Sequence, residues 1–281
     1  MAEVQTLLRG PVSVARYRCT SGPSDTPYWE QYGSWSVASV RQGSFGCLCR
    51  GRRHELVPGS LLVGRPGDEY CCSHEHLAGG DVCLSVHLSD DQVDEIDPRR
   101  RAWVSGALPP LAEMMAAGEW LSATADGDDD LGLDEAGLMF AARFVQMSGA
   151  VPAPRVGVSA RERARVVESA LRIAAQPQTE VNLQQLAREA CWSPFHYLRR
   201  FSAVVGTTPH QYLVRCRIGR AAQLLVTSQQ AVTDIALDVG YGDLSNFVRS
   251  FRRATGMSPR AWRRRGQGQR KICQVPRNAS T

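Results

Sequence analysis

The sequence predicts an α+β chain, with a strand-rich half followed by an all-α half built from two helix-turn-helix units joined by a long helix. Three observations carry this. A stretch of the C-terminal third is written twice, about fifty residues apart: Arg199, Phe201, Gly206, Pro209 and Tyr212 return as Arg249, Phe251, Gly256, Pro259 and Trp262. Matching anchors at a fixed spacing mean that one supersecondary unit has been duplicated. From about residue 10 to 90, by contrast, short apolar segments alternate with glycine turns, the pattern of an antiparallel sandwich or barrel. Charge divides along the same line. Residues 1–159 carry 13 basic against 21 acidic residues, a net −8, whereas residues 160–281 carry 20 against 7, a net +13. A basic half joined to an acidic half is expected when one half meets a polyanion.

The strands come first. Trp35–Arg41, Phe45–Arg50, Ser60–Val63 and Val82–Leu88 are separated by glycines, and the last alternates Val and Leu with smaller or polar residues. Two helices follow. One spans about 108–121, with Leu111, Met114, Met115 and Leu121 at helical spacing. The other, about 133–148, has Leu133, Ala136, Phe140, Phe144 and Met147 on one stripe and Leu138, Ala141 and Val145 on another. A helix apolar on two sides must bury both, so this one is expected to pack on its own domain and on a second copy of the chain, the alternative being an ordinary buried helix. Residues 150–160 lack periodicity and hold two prolines, which places the linker between domains 1–149 and 161–265. A helix is expected over about 160–175, and the polar, basic tail 266–281 is expected to be disordered.

In the first copy Leu183 to Ala190 forms a short helix, Cys191-Trp192 a turn, and Ser193-Pro194 the N-cap and first position of a second helix that Gly206 ends. Tyr197 and Phe201 face inward; Phe195, His196, Arg199 and Ser202 face outward. The second copy repeats this one residue out of step at its turn, Leu186-Ala187, Cys191 and Trp192 returning as Ile235-Ala236, Gly240 and Tyr241. Asp243 caps its second helix, Phe247 and Phe251 are buried, and Ser245, Asn246, Arg249 and Arg252 lie outside. The second helix of such a unit enters the major groove, where Arg forks onto guanine, Asn onto adenine, and further arginines neutralise phosphate. A helix over about 209–227 holds the two readers roughly one DNA turn, about 10 bp, apart.

The C-terminal hundred residues resemble the DNA-binding domain of the AraC/XylS family of bacterial transcriptional regulators. The matching residues are Ser193-Pro194 with Arg199 and Phe201, Gly206 with Pro209, and Arg217 with Ala221 and Leu224-Leu225. They continue with Ile235-Ala236, Gly240-Tyr241, Asp243, Ser245, Phe247, Arg249, Phe251, Gly256, Ser258 and Pro259. The resemblance implies that Arg199 and Arg249 contact DNA, with Ser193, Phe195, His196, Leu198, Leu244, Ser245, Asn246, Val248 and Arg252 beside them. Arg200 stands where the family has an aliphatic residue, and is expected to extend to a phosphate. The resemblance further implies a cupin-like jelly roll for the N-terminal half, weakly matched by Arg41 to Phe45, Leu56-Val57-Pro58-Gly59 and Gly64 to Gly67. It implies a homodimer acting on promoter DNA and RNA polymerase, an activator more often than a repressor, governed by an effector that these residues do not identify.

The rival class is an enzyme, either a metal-dependent cupin or a cysteine alkyl-acceptor repair protein carrying the same DNA-binding domain. Neither constellation is complete. His74 and His76 with Gly67 are faintly similar to the cupin metal motif, but the glycine spacing is off by one and no glutamate follows. The non-enzymatic reading is therefore preferred, with no required cofactor. One cluster is nevertheless dense in soft donors, and if it holds a metal the expected ligands are Cys72, His74, His76 and Cys83. The nine scattered cysteines are no disulfide framework, and no run of eighteen apolar residues or basic-then-apolar N-terminus appears. A cytoplasmic protein with no membrane partner is expected.

Overall fold

The computed structural model describes residues 2–75, 80–127, 132–149 and 157–273, with side chains as far as Gly266. The first half is two antiparallel sheets. Its strands are β1 (Ala2–Leu8), β2 (Val12–Cys19), β3 (Trp29–Gln31), β4 (Trp35–Gly43), β5 (Phe45–Cys49), β6 (Arg52–Leu56), β7 (Leu61–Gly64), β8 (Glu69–Ser73), β9 (Asp81–Leu88) and β10 (Ala107–Leu108). One sheet has the order β1-β2-β9-β4-β7-β10 and the other β3-β8-β5-β6. Both contribute to one apolar cluster, in which Val40 and Cys83 of the first meet Phe45, Cys47, Cys49 and Leu56 of the second. The four strands read from the sequence correspond to β4, β5, β7 and β9. Strand β1 was not anticipated, since it is an edge strand exposed along most of its length and has no buried face to impose an apolar alternation.

Three helices follow. α1 (Asp90–Ile96) is short and was not anticipated, although Ser89 caps it and Gln92 stands three positions on, a recognisable start signal. α2 (Ala112–Ala125) and α3 (Leu133–Ser148) lie close to the expected spans. α2 buries Met114, Met115, Ala116, Trp120, Leu121 and Ala123, residues on several sides, because it packs on α3 and on a helix of the C-terminal half. In α3 the second stripe packs in part on the chain's own domain. Ala141 is fully buried, and Leu138 and Val145 pack partly against the chain's own core.

The helical half comprises α4 (Ala160–Ala175), α5 (Leu183–Glu189), α6 (Pro194–Val205), α7 (Pro209–Thr227), α8 (Val232–Asp238), α9 (Leu244–Thr255) and α10 (Pro259–Cys273). The repeat is longer than the sequence reading recognised. α4 opens with a capping box of Ser159 and Glu162, and α7 opens with one of Thr208 and Gln211 at the corresponding spacing. Each unit is thus a capped helix followed by a short helix and an outward helix. α10 also continues past Arg265, where the tail was expected to lose structure. Trp262 anchors the first turns, and the Arg, Gln and Lys residues that follow favour propagation despite Gly266 and Gly268. Residues 150–156 of the expected linker and 274–281 of the tail lie outside the described residues.

The two halves share a core. One apolar cluster runs from Val14, Val37 and Val86 of the sheet through Met114 and Leu121 of α2 to Leu225, Phe247, Phe251 and Trp262. Trp120 and Trp262 meet edge to face at 5.1 Å, and the Tyr212 hydroxyl donates to the Pro58 carbonyl at 2.9 Å. Arg163 of α4 pairs with Glu55 of β6 at 2.8 Å. Gly206, which ends α6 at φ +78°, is pressed on Pro109, so a Cβ there would lie 2.6 Å from the proline's own. Gly206→Ala should therefore cost roughly 1–3 kcal/mol from the left-handed backbone, with the clash added to it, as read by chemical denaturation.

Candidate nucleic-acid interface

The two turns are built by the same hydrogen bonds. Trp192 N–H donates to the Ala187 carbonyl and Tyr241 N–H to the Ala236 carbonyl, both at 2.9 Å. Cys191 N–H reaches Arg188 and Gly240 N–H reaches Leu237, again at 2.9 Å each. This closes a helix through a left-handed residue. That residue is Cys191 at φ +56° in the first unit and Gly240 at φ +92° in the second. The aromatic after it is covered by a guanidinium each time, Arg165 at 5.7 Å from the Trp192 ring centre and Arg217 at 5.8 Å from that of Tyr241. Both outward helices then start from a side-chain cap. Ser193 accepts from His196 N–H at 3.3 Å, and Asp243 accepts from Ser245 N–H at 3.1 Å and Asn246 N–H at 2.8 Å.

These caps fix which faces point out. Tyr197 and Phe201 of α6, and Phe247 and Phe251 of α9, are fully buried. On the opposite side Ser193, Phe195 and Arg199 are exposed, Phe195 by 75%, with Leu198 partly exposed beside them. On α9 Ser245, Asn246, Arg249 and Arg252 are exposed, and Leu244, Ser245, Val248, Arg249, Arg252 and Arg253 line a shallow groove. Among the described residues no carboxylate pairs with Arg199, Arg249, Arg252 or Arg253. An exposed apolar residue beside unpaired guanidiniums offers both contact with base methyl groups and neutralisation of phosphate.

Two expected contacts lie differently. Arg200 does not extend outward: its Nε sits 2.9 Å from Glu162 and its Nη1 donates to the Gly157 carbonyl at 2.9 Å. The aliphatic position is filled by an arginine because the capping carboxylate of α4 lies within reach to neutralise it. His196 is half-buried, edge-on to Trp192 at 5.1 Å and 3.5 Å from Glu162. Glu162 itself is held below the ordinary glutamate range, first by the Ser159 backbone N–H, then by the Ser159 hydroxyl and Arg200. A lowered carboxylate contributes stability above its unfolded pKa and loses it as pH falls through the folded value. Glu162→Gln should accordingly flatten the loss of stability between about pH 6 and about pH 3, measured by urea denaturation at each pH.

The N-terminal half holds a cavity of about 170 Å³, lined among others by Tyr17, Tyr32, Tyr70, His74, Asp81 and His87. His74 Nε2 lies 2.9 Å from Asp81 Oδ1, and the Cys83 thiol donates to Asp81 Oδ2 at 3.3 Å. Burial, and then the Asp81 carboxylate, push the Cys83 thiol well above its usual range. Cys72 stands opposite Cys47 across β8 and β5, and its hydrogen bond to that thiol together with burial pushes it up. Of the expected Cys72, His74, His76 and Cys83, His74 belongs to the donor cluster found among the described residues, which is Cys19, His74 and Asp81. His76 lies outside the described residues. Cys19 escaped the sequence reading because β2 and β9 pair across sixty residues of chain to set it opposite Asp81. No local spacing signals that pairing.

Comparison with known proteins matches a family model described as a helix-turn-helix domain over residues 186–265. The MmsAB operon regulatory protein of Pseudomonas aeruginosa is 39% identical over 85 residues, which are 30% of this chain and 28% of that protein. The bifunctional transcriptional activator and DNA repair enzyme AdaA of Bacillus subtilis is 31% identical over 84 residues, 30% of this chain and 40% of that protein. The matched stretch thus spans less than half the length of either relative. Among solved structures, the DNA-binding domain of the global transcriptional factor AdpA, in complex with a target DNA, is 28% identical and covers 38% of this chain and 96% of that one, with a TM-score of 0.37. No helix among the described residues is long and apolar enough to cross a membrane. The family match and the two capped outward helices together identify residues 186–265 as a helix-turn-helix domain.

Proposed function

We propose that the chain is a transcriptional regulator that reads two successive major-groove segments, one with α6 and one with α9. The observation that carries this is the equivalence of Arg199 and Arg249, which stand at matching positions on outward faces whose inward sides are pinned by Phe201 and Phe251. α7 lies between α6 and α8 in the chain and packs on α4, α6, α8 and α9, which favours a fixed spacing over independent motion. Control by the N-terminal half is supported by the shared core, since a rearrangement of the sheet reaches α9 through α2 without leaving packed side chains. Activation through RNA polymerase and assembly as a homodimer are what the AraC/XylS resemblance implies for promoter DNA of this kind. No catalytic step enters this reading. Selection of bound sequences from random duplex DNA tests it: one motif with two conserved segments about 10 bp apart is expected. Recovery of sequences without a motif, bound through phosphate alone, overturns it.

A further inference from the structure

We propose that Cys19, His74 and Asp81 bind a zinc-class divalent cation inside the N-terminal cavity. The donors come from three separate places in the fold: the last residue of β2, the segment after β8 and the first residue of β9. Strand pairing sets Cys19 directly opposite Asp81, and their ligand atoms with that of His74 all lie within 4.8 Å of one another. Bonds of about 2.0–2.3 Å to a tetrahedral zinc put ligands about 3.3–3.8 Å apart, so side-chain rotation of roughly 1 Å closes the site.

Charge gives the reason for a cation here. Asp81 is only 8% exposed, and among the described residues its ion-pair partner is His74, with no arginine beside it. A buried carboxylate requires compensation. One thiolate and one carboxylate neutralise a divalent ion, and the neutral imidazole completes three protein ligands. Binding releases the Cys19 thiol proton to solvent, and the ion stands where the His74–Asp81 hydrogen bond now lies, with neutral His74 ligating through Nε2 as the tautomer that keeps its hydrogen on Nδ1. Cys83, by donating its S–H to Asp81 Oδ2, leaves Oδ1 turned toward His74. A mixed sulfur, nitrogen and oxygen set excludes magnesium and calcium, which require oxygen ligands. Three protein ligands leave a position facing the cavity, where the buried Tyr32 hydroxyl has no hydrogen-bond partner among the described residues.

The test uses full-length protein stripped with chelator and titrated with Zn²⁺ alone, then with Co²⁺ alone. One Zn²⁺ per chain is expected, and Co²⁺ should give a thiolate-to-metal charge-transfer band. Cys19→Ser should abolish that band, and Asp81→Asn should weaken Zn²⁺ binding at least ~10-fold. Cys191→Ser, which alters an exposed thiol of the helical half, should change neither. Wild-type protein that binds no Zn²⁺ overturns the site whatever the variants do. A cobalt–thiolate band retained in Cys19→Ser overturns the assignment of ligands.

Discussion

Phe201→Ala should lower the unfolding free energy by about 3–5 kcal/mol, because it opens a cavity in a packed core. The ring is fully buried between Tyr197 at 5.9 Å and Tyr212 at 6.2 Å, with Val166, Val167 and Ala170 of α4 in the same cluster. Phe251→Ala removes the equivalent ring of the second unit, held between Phe247 at 5.7 Å and Trp262 at 5.8 Å. The two should nevertheless differ in how the loss spreads. Phe251 belongs to the cluster that continues through α2 into the sheet, whereas Phe201 belongs to the cluster centred on α4, α5 and α6. Hydrogen exchange should therefore show Phe251→Ala raising the opening of α2 and the sheet, with the effect of Phe201→Ala concentrated in the first unit. Equal and uniform loss of protection in both variants would contradict the division of the core.

Arg199→Ala and Arg249→Ala should each weaken specific DNA binding by about 1–3 kcal/mol while leaving folding nearly unchanged. Both side chains are exposed and contribute little to the core. Each variant should relax base preference in one segment of the site, and the two relaxed segments should lie about 10 bp apart. Arg253→Ala, at the edge of the α9 groove, should instead weaken binding across sequences and reduce the salt dependence by about one phosphate contact. Arg200→Ala is expected to act on stability, since its guanidinium is committed to Glu162 and Gly157. Binding titrations on a randomised site beside thermal melts separate these classes.

What the sequence disclosed depended on how local each signal was. Caps and turn residues are short-range, so Ser193-Pro194, Gly206, Asp243 and Gly256 located α6 and α9 to within a residue. The same logic, applied to Ser159 with Glu162 and to Thr208 with Gln211, would have revealed that the repeat includes α4 and α7. Long-range facts were hidden. The apolar sides of α2 were legible, but its packing on α7, and so the joint core of the two halves, follows from tertiary contacts that no periodicity encodes. The second stripe of α3 is legible too, and the chain's own core supplies part of its cover. The direction of Arg200 is not legible locally, because a long charged side chain reaches toward whichever partner stands near it, and Glu162 lies 38 residues upstream. The donor cluster combined both cases, with His74 and Asp81 near in sequence and Cys19 brought in by strand pairing.

If α7 fixes the spacing of the two reading helices, the affinity of the wild-type protein for its selected site should depend on inserting about 5 bp, half a helical turn, between the two segments. Rigid readers cannot follow a segment rotated to the opposite face of the duplex, so binding should fall to that of a single segment, and insertion of about 10 bp should not restore it fully. Unchanged affinity for the 5 bp insertion would mean that α6 and α9 do not engage the DNA together.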